Sequence, residues 1–153
     1  MAKRHPQQRK GSPLYWSAET WAFLSLRLFL GLRFLVAGLG KFKSESGYSF
    51  SHYYDGFVAR QIETFGSKTG LWSILYVPYV HAIAYVELIL GLMLLLGART
   101  KHALALTALT YVSLAYGMML LGNIPTVNGI ATHLLLTAAA LYFVRHNKLE
   151  LLR

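Results

Sequence analysis

The chain has 153 residues, the length of one domain, of which 55% are hydrophobic and only 14% are charged. Soluble domains carry about a quarter charged residues, so this composition indicates a membrane protein. The sequence contains no cysteine, which excludes disulfides, thiolate metal sites, iron–sulfur clusters and cysteine nucleophiles. The formal net charge is +9, and its meaning depends on where the basic residues lie.

Four long apolar segments follow a basic N-terminal tail, residues 1–20. They cover residues 21–40, 71–98, 103–121 and 126–144. Each is long enough to cross a hydrocarbon layer of about 30 Å as a helix. The second contains Pro78, which predicts either a kink or a later start of that helix. The sequence therefore predicts an all-α integral membrane protein, a four-transmembrane-helix antiparallel bundle over residues 21–145, followed by a C-terminal tail, residues 146–153.

The basic residues are divided unequally between the two ends of such a bundle. One end carries nine of them, which are Lys3, Arg4, Arg9, Lys10, Arg99, Lys101, Arg145, Lys148 and Arg153. The other end carries four, which are Lys41, Lys43, Arg60 and Lys68. Because basic residues are enriched on the cytoplasmic side of membrane proteins, we expect both termini to be cytoplasmic. The basic excess then has a topological cause, and no nucleic-acid partner is expected.

The longest connection, residues 42–70, is rich in aromatic residues and is expected outside the cytoplasm. Its apolar positions Phe57, Val58, Ile62 and Phe65 follow a spacing of three and four residues. This pattern predicts a short amphipathic helix on the mouth of the bundle or on the bilayer surface. Two interpretations stay open, an ordered cap over the helix ends and a lid over a ligand site.

Charged residues share helix faces with small residues in the first two segments. At about 100° per residue, one narrow face of the first helix holds Arg27, Gly31, Gly38 and Lys41. The corresponding face of the second helix holds Ala84, Glu87, Gly91 and Ala98. Arg33 points about 120° away from Arg27. Small residues beside a buried charge predict close helix packing along both faces.

Glu87 is the only acidic residue in the four apolar segments. A carboxylate that faces lipid is costly, so Glu87 is expected to face the bundle interior and to pair with a cation. Counted from the end that carries the termini, Arg27 lies about 9 Å deep, Arg33 about 18 Å and Glu87 about 16 Å. The shared face favours Arg27 and the depth favours Arg33. Such a pair either fixes helix register or forms a polar site in which Glu87 exchanges a proton.

Two histidines fall in the outer half of the predicted membrane domain, His81 in the second segment and His133 in the fourth. Two histidines at similar depth on parallel helices can ligate haem, whereas a lone histidine usually bonds to a backbone carbonyl or a hydroxyl. The sequence has no P-loop, dinucleotide fingerprint, nucleophile elbow or zinc-protease motif. We expect no metal site and no covalently bound cofactor.

Two short segments rich in leucine and glycine resemble the DoxX-like family of four-helix membrane proteins. They are residues 27–42, RLFLGLRFLVAGLGKF, and residues 86–100, VELILGLMLLLGART. The similarity extends over about residues 24–144, and the family includes the small DoxD-type subunit of thiosulfate:quinone oxidoreductase. The resemblance implies four helices, a bacterial or archaeal cytoplasmic membrane, and association with redox partners or quinone metabolism.

The resulting hypothesis is a membrane subunit of a larger redox assembly that contributes a quinone-binding pocket. Glu87 is the candidate catalytic residue, and the candidate ligand-binding residues are Arg27, Arg33, Lys41, His81 and His133. The expected partners are the lipid bilayer and other membrane or membrane-associated subunits, and the chain is not expected to be catalytic alone. One alternative is a non-catalytic structural or assembly subunit whose pocket is filled by side chains. A weaker alternative is a small-molecule carrier.

Overall fold

The computed structural model describes residues 16–151, and four long helices dominate this part of the chain. In chain order the elements are α1 Ala18–Gly40, strands β1 Lys43–Ser44 and β2 Gly47–Tyr48, a π-helical segment His52–Val58, α2 Ala59–Lys68, α3 Ser73–Leu96, α4 Thr100–Leu120, α5 Ile124–Phe143 and a 3₁₀ turn Val144–His146. The four long helices are apolar enough to cross a membrane, which confirms the predicted all-α bundle. Of the predicted cytoplasmic basic residues, Lys3, Arg4, Arg9, Lys10 and Arg153 lie outside the described residues.

Local sequence signals set the ends of the long helices. Ser17 caps α1 by accepting a hydrogen bond from the backbone N–H of Thr20. The helix α3 ends at Gly97, whose φ of +71° is a left-handed conformation that glycine adopts most easily. Pro78 lies inside α3, five residues after its first residue. The predicted later start of this helix at the proline is therefore wrong, because the helix begins at Ser73.

The helices form a ring in which every neighbouring pair is antiparallel. α1 packs against α3 and α5, and α4 packs against α5 and α3. The contact between α1 and α3 is close, since a Cβ atom on Gly91 would lie 2.7 Å from the Leu35 backbone nitrogen. One on Gly38 would lie 3.0 Å from the Ala84 carbonyl oxygen. This confirms the predicted close packing of the two small-residue faces.

Large apolar side chains cover both the inside and the outside of the bundle. The buried core includes Phe23, Leu30, Phe34, Leu90 and Leu94. Many other apolar side chains on the same helices are exposed, and examples are Phe29, Leu32, Val36, Ile89, Leu109 and Leu135. An outer surface of this kind is suited to lipid tails rather than to water.

The connection between α1 and α3 folds over one end of the bundle, which we call the loop end. It starts with the β1–β2 hairpin, in which Lys43 pairs with Tyr48, and the sequence analysis did not predict this hairpin. The π-helical segment and α2 follow, so the predicted amphipathic helix is confirmed. Phe65 of α2 packs over Gly117 of α4, where a Cβ atom would lie 3.3 Å from its ring.

Tyr53 anchors this connection to α3. Its side chain is fully buried, it stacks on Phe42 with ring centroids 4.5 Å apart, and its hydroxyl donates to the carbonyl oxygens of Val80 and His81 at 3.1 and 2.8 Å. Burial raises the pKa of Tyr53 to about 12. The hydroxyl therefore stays protonated, and remains a donor, at neutral pH.

The start of α1 and the C-terminal segment lie together at the opposite end, which we call the terminal end. Trp16 and Thr20 lie beside Asn147 and Leu149 there. An even number of spans places both ends of the described chain on one side of a membrane. Their cytoplasmic location rests on the distribution of basic residues and stays a prediction.

Candidate functional site

A cavity of about 400 Å³ lies where the four long helices meet α2, in the half of the bundle nearer the loop end. This volume is within the range of small-molecule sites, which is roughly 300–1,000 Å³. Its walls are largely apolar, but each long helix and α2 contribute polar side chains. These are Arg33, Lys41, Gln61, Tyr79, Glu87, Tyr111, Ser113, Thr126 and His133.

Glu87 and Lys41 form an ion pair in the wall of this cavity. Glu87 is 3% exposed, and the Lys41 Nζ atom also donates to the Ala37 carbonyl oxygen at 3.3 Å. The Lys41 ammonium lies 5.6 Å from the centre of the Phe57 ring, so an aromatic side chain from the loop end covers the pair. The carboxylate and the ammonium together form a polar spot in an otherwise apolar wall.

This pairing corrects the expectation that Arg27 or Arg33 pairs with Glu87, which is wrong. Side chains on an α-helix tilt toward the helix N-terminus. On α1 this tilt carries Lys41 from the loop end down into the bundle, whereas it carries Arg27 away from Glu87 toward the terminal end. The depths compared in the sequence analysis were those of the Cα atoms, and they left out this displacement.

Arg27 lies outside the cavity and binds the C-terminal segment instead. Its Nη1 atom donates to the Asn147 Oδ1 atom at 3.0 Å and to the Leu149 carbonyl oxygen. The Asn147 Nδ2 atom in turn donates to the Thr100 hydroxyl at 3.0 Å. A Cβ atom on Gly97 would lie 2.9 Å from the Arg27 guanidinium. Arg27 therefore ties α1, the α3–α4 turn and the C-terminal segment together at the terminal end.

Arg33 lines the cavity and is an exposed residue. Within residues 16–151 its guanidinium takes part in no hydrogen bond, ion pair or cation–π contact. The predicted ligand-binding arginines are thus separated by the fold. Arg33 lies at the cavity and Arg27 does not.

Tyr111 on α4 and His133 on α5 also line the cavity. Tyr111 is 6% exposed, and its hydroxyl has no hydrogen-bond partner in the described part of the chain. The His133 Nδ1 atom lies 2.6 Å from the Gly129 carbonyl oxygen. Because a carbonyl oxygen only accepts, Nδ1 donates the proton of this hydrogen bond. The ring of His133 stacks on Phe29, with centroids 6.0 Å apart.

His81 does not line the cavity. Its ring packs against Tyr54, with centroids 5.9 Å apart, on the side of α3 that faces the loop-end connection. The two histidines considered as haem ligands therefore have no common site in the structure.

Five polar side chains of the cavity were not predicted as site residues from the sequence, and they are Gln61, Tyr79, Tyr111, Ser113 and Thr126. Tyr79 and Ser113 join α3 to α4 through a hydrogen bond of 2.9 Å between their hydroxyl oxygens, and Tyr111 supplies the unpartnered hydroxyl. The available signal was the presence of polar atoms inside apolar spans, which usually face the bundle interior. That signal predicts that such side chains face the bundle interior, but it does not predict which neighbouring helix each side chain contacts.

The fold and the cavity together define a multi-pass membrane protein with a polar site inside a four-helix bundle. Residues 22–145 match the family model described as DoxX, and the chain therefore belongs to the DoxX family. This confirms the resemblance noted in the sequence. No curated protein and no solved structure matches the chain. The matched residues include every residue that lines the cavity.

Proposed function

We propose that this protein is the membrane subunit of a quinone-linked redox assembly and that its cavity binds the quinone ring. The observation that carries the proposal is the cavity of about 400 Å³ with apolar walls and a few converging polar groups. Aromatic ligands with two carbonyl oxygens need such a combination, because the ring is apolar and the oxygens require donors. The cavity lies inside the membrane-spanning part of the chain, where lipid-soluble molecules are concentrated.

Reduction of a quinone to a quinol takes up two electrons and two protons. The electrons come from a partner redox subunit of the assembly. The chain provides hydrogen-bond donors for the quinone oxygens, and Arg33 and Tyr111 are available because neither has a partner within residues 16–151. Glu87 takes up a proton from water and passes it to a quinone oxygen, once for each of the two protons, while Lys41 beside it stabilises the carboxylate in between.

The competing function is a purely structural or assembly subunit. That hypothesis expects side chains to fill the interior of the bundle, as they fill most protein cores. An open volume of about 400 Å³ beside an unpartnered arginine supports ligand binding instead. The localisation follows the same proposal, a bacterial or archaeal cytoplasmic membrane in which quinones circulate.

The test is the variant Glu87→Gln, studied in the assembly that purifies with the protein in mild detergent. Glutamine keeps the size and the hydrogen bonding of the glutamate but cannot exchange a proton. We expect a loss of quinone-dependent turnover per assembled complex of about 10²-fold or more, with assembly reduced less than in Glu87→Ala because the amide oxygen still accepts a hydrogen bond from Lys41. The matched control is Glu63→Gln on the exposed face of α2, which should leave turnover unchanged. Full turnover per assembled Glu87→Gln complex, together with no quinone in lipid extracts of the native protein, would contradict the proposal.

A further inference from the structure

The charges that line the cavity do not balance. Lys41 and Glu87 neutralise each other, and Arg33 adds a second cation. Glu87 is the only acidic side chain among the lining residues. The described walls therefore carry one positive charge in excess, without counting His133.

Arg33, which supplies this excess charge, lies well inside the membrane-spanning part of α1. Arg33 lies seven residues before the last residue of α1, about 10 Å from the loop end. The tilt of helix side chains carries its guanidinium further from that end. Ionisable groups at such depth usually face the bundle interior and find a partner of opposite charge. Arg33 lines the cavity as an exposed residue, so its guanidinium is accessible to a ligand, and no described carboxylate forms an ion pair with it.

We propose that the ligand of this cavity is an aromatic molecule with an ionised oxygen, and that Arg33 binds this oxygen. This inference rests on the proposed function and specifies its ligand further. The cavity should bind the anionic form of a quinone-type ring more tightly than the neutral form. A guanidinium holds an oxyanion through two parallel hydrogen bonds, and this charge-assisted pairing is stronger than one between neutral groups. The apolar walls, with Phe34, Ile83 and Leu114, select an organic anion over an inorganic one.

The experiment compares three ligands by titration calorimetry on the full chain in lipid nanodiscs, with empty nanodiscs subtracted for partitioning. The compound 2-hydroxy-1,4-naphthoquinone is an anion at neutral pH, and 2-methoxy-1,4-naphthoquinone is its neutral analogue of similar shape. The third compound, 2-naphthoate, is an aromatic anion without a quinone ring. We expect the hydroxyquinone to bind at least about tenfold more tightly than the methoxyquinone.

Variants assign the preference to one side chain. Arg33→Gln should abolish the preference for the anion, whereas Arg33→Lys should keep most of it because the charge remains. The matched control is Arg60→Gln, which removes an exposed arginine of α2 that does not line the cavity, and it should leave the preference intact. The lysine variant keeps the test valid if the glutamine variant fails to fold.

The outcomes separate this inference from the proposed function. Equal affinity for the two quinones, or a preference that survives in Arg33→Gln, would overturn the role of Arg33 and leave the quinone pocket standing. Binding of 2-naphthoate as tight as that of the hydroxyquinone would support the anion site and contradict its specificity for a quinone. Binding of none of the three would overturn both.

Discussion

The ion pair between Lys41 and Glu87 dominates the energetics of the site at the scale of single residues. Both side chains are largely buried, so removal of one leaves an uncompensated charge inside the bundle. We expect Glu87→Ala to destabilise the protein by about 3–5 kcal/mol, while the double variant with Lys41→Ala should lose less than the sum of the two single losses. Reversible unfolding in mixed detergent micelles measures both.

The control for this cycle is Arg27, which shares a helix face with Lys41 but binds Asn147 and Leu149 at the terminal end. The losses caused by Glu87→Ala and Arg27→Ala should add within about 0.5 kcal/mol, because the two residues share no partner. Strong coupling of Glu87 to Arg27, and none to Lys41, would show that the ion pair was assigned to the wrong cation.

The residue scale also shows where sequence reasoning is insufficient. The sequence identified Glu87 as a buried acid that needs a cation, because a lone carboxylate in a membrane span has few other stable environments. It did not identify the cation. Arg27 and Arg33 lie on α1 and Lys41 directly follows its last residue, and only the direction of each side chain, together with the register of α1 against α3, decides among them.

At the scale of helices, the contact between α1 and α3 depends on glycine. A Cβ atom on Gly91 would lie 2.7 Å from the Leu35 nitrogen and 3.0 Å from the Gly31 carbonyl oxygen, and both of these are backbone atoms that cannot rotate away. We expect Gly91→Ala to push the helices apart and to destabilise the bundle by about 1–3 kcal/mol. Unfolding in mixed micelles, or a lower melting temperature, measures this loss.

Gly40→Ala provides the comparison, since a Cβ atom there would meet nothing within 4 Å. Alanine is a better helix former than glycine, so this variant should be neutral or stabilising by up to about 1 kcal/mol. If Gly91→Ala were as harmless as Gly40→Ala, close packing of the backbones would not hold α1 against α3.

The attachment of the loop-end connection to α3 should be sensitive to alkaline pH through Tyr53. Its pKa of about 12 in the folded protein exceeds the value of about 10 for an unfolded tyrosine. The contribution of Tyr53 to stability is therefore complete below about pH 10 and is lost as the pH rises through about 12. Melting temperatures measured between these values should fall for the wild type and fall less for Tyr53→Phe.

Tyr48→Phe is the control for this pH dependence, since Tyr48 lies in the same connection but is 69% exposed. Its pH profile should follow that of the wild type. At neutral pH, Tyr53→Phe should already be less stable by about 1–3 kcal/mol, because the carbonyl oxygens of Val80 and His81 lose their donor. Identical alkaline profiles for Tyr53→Phe and the wild type would show that Tyr53 does not titrate as described.

Sequence patterns predicted a helix correctly where the length of an apolar run or the spacing of apolar residues was enough to determine it. The four spans follow from the length of apolar runs, and α2 follows from the spacing of Ile62 and Phe65. The β1–β2 hairpin was not predicted because each strand has only two residues, too short for an alternating pattern. The start of α3 was uncertain because Pro78 is tolerated in a membrane helix, where neighbouring groups satisfy the freed carbonyl.

At the scale of the whole molecule, the cavity could not have been predicted from any single segment. Its walls come from α1, α2, α3, α4 and α5 together, and each contributes residues whose partners lie far away in the sequence. The order of the helices around the ring determines which polar side chains meet. Short turns made antiparallel neighbours predictable, but they did not specify that α1 packs between α3 and α5.

The orientation of the molecule in the membrane rests on its basic residues, nine at the end of the termini and four at the loop end. The absence of cysteine from the native chain gives labelling experiments no background. Single cysteines at Ser67 on α2 and at Lys148 in the C-terminal segment are exposed positions at opposite ends of the bundle. A membrane-impermeant maleimide should label Lys148→Cys only from the cytoplasmic side and Ser67→Cys only from the other. Labelling of both from one side would contradict the three spans α3, α4 and α5 between these positions, whereas exchanged sides would leave the bundle intact and reverse its orientation.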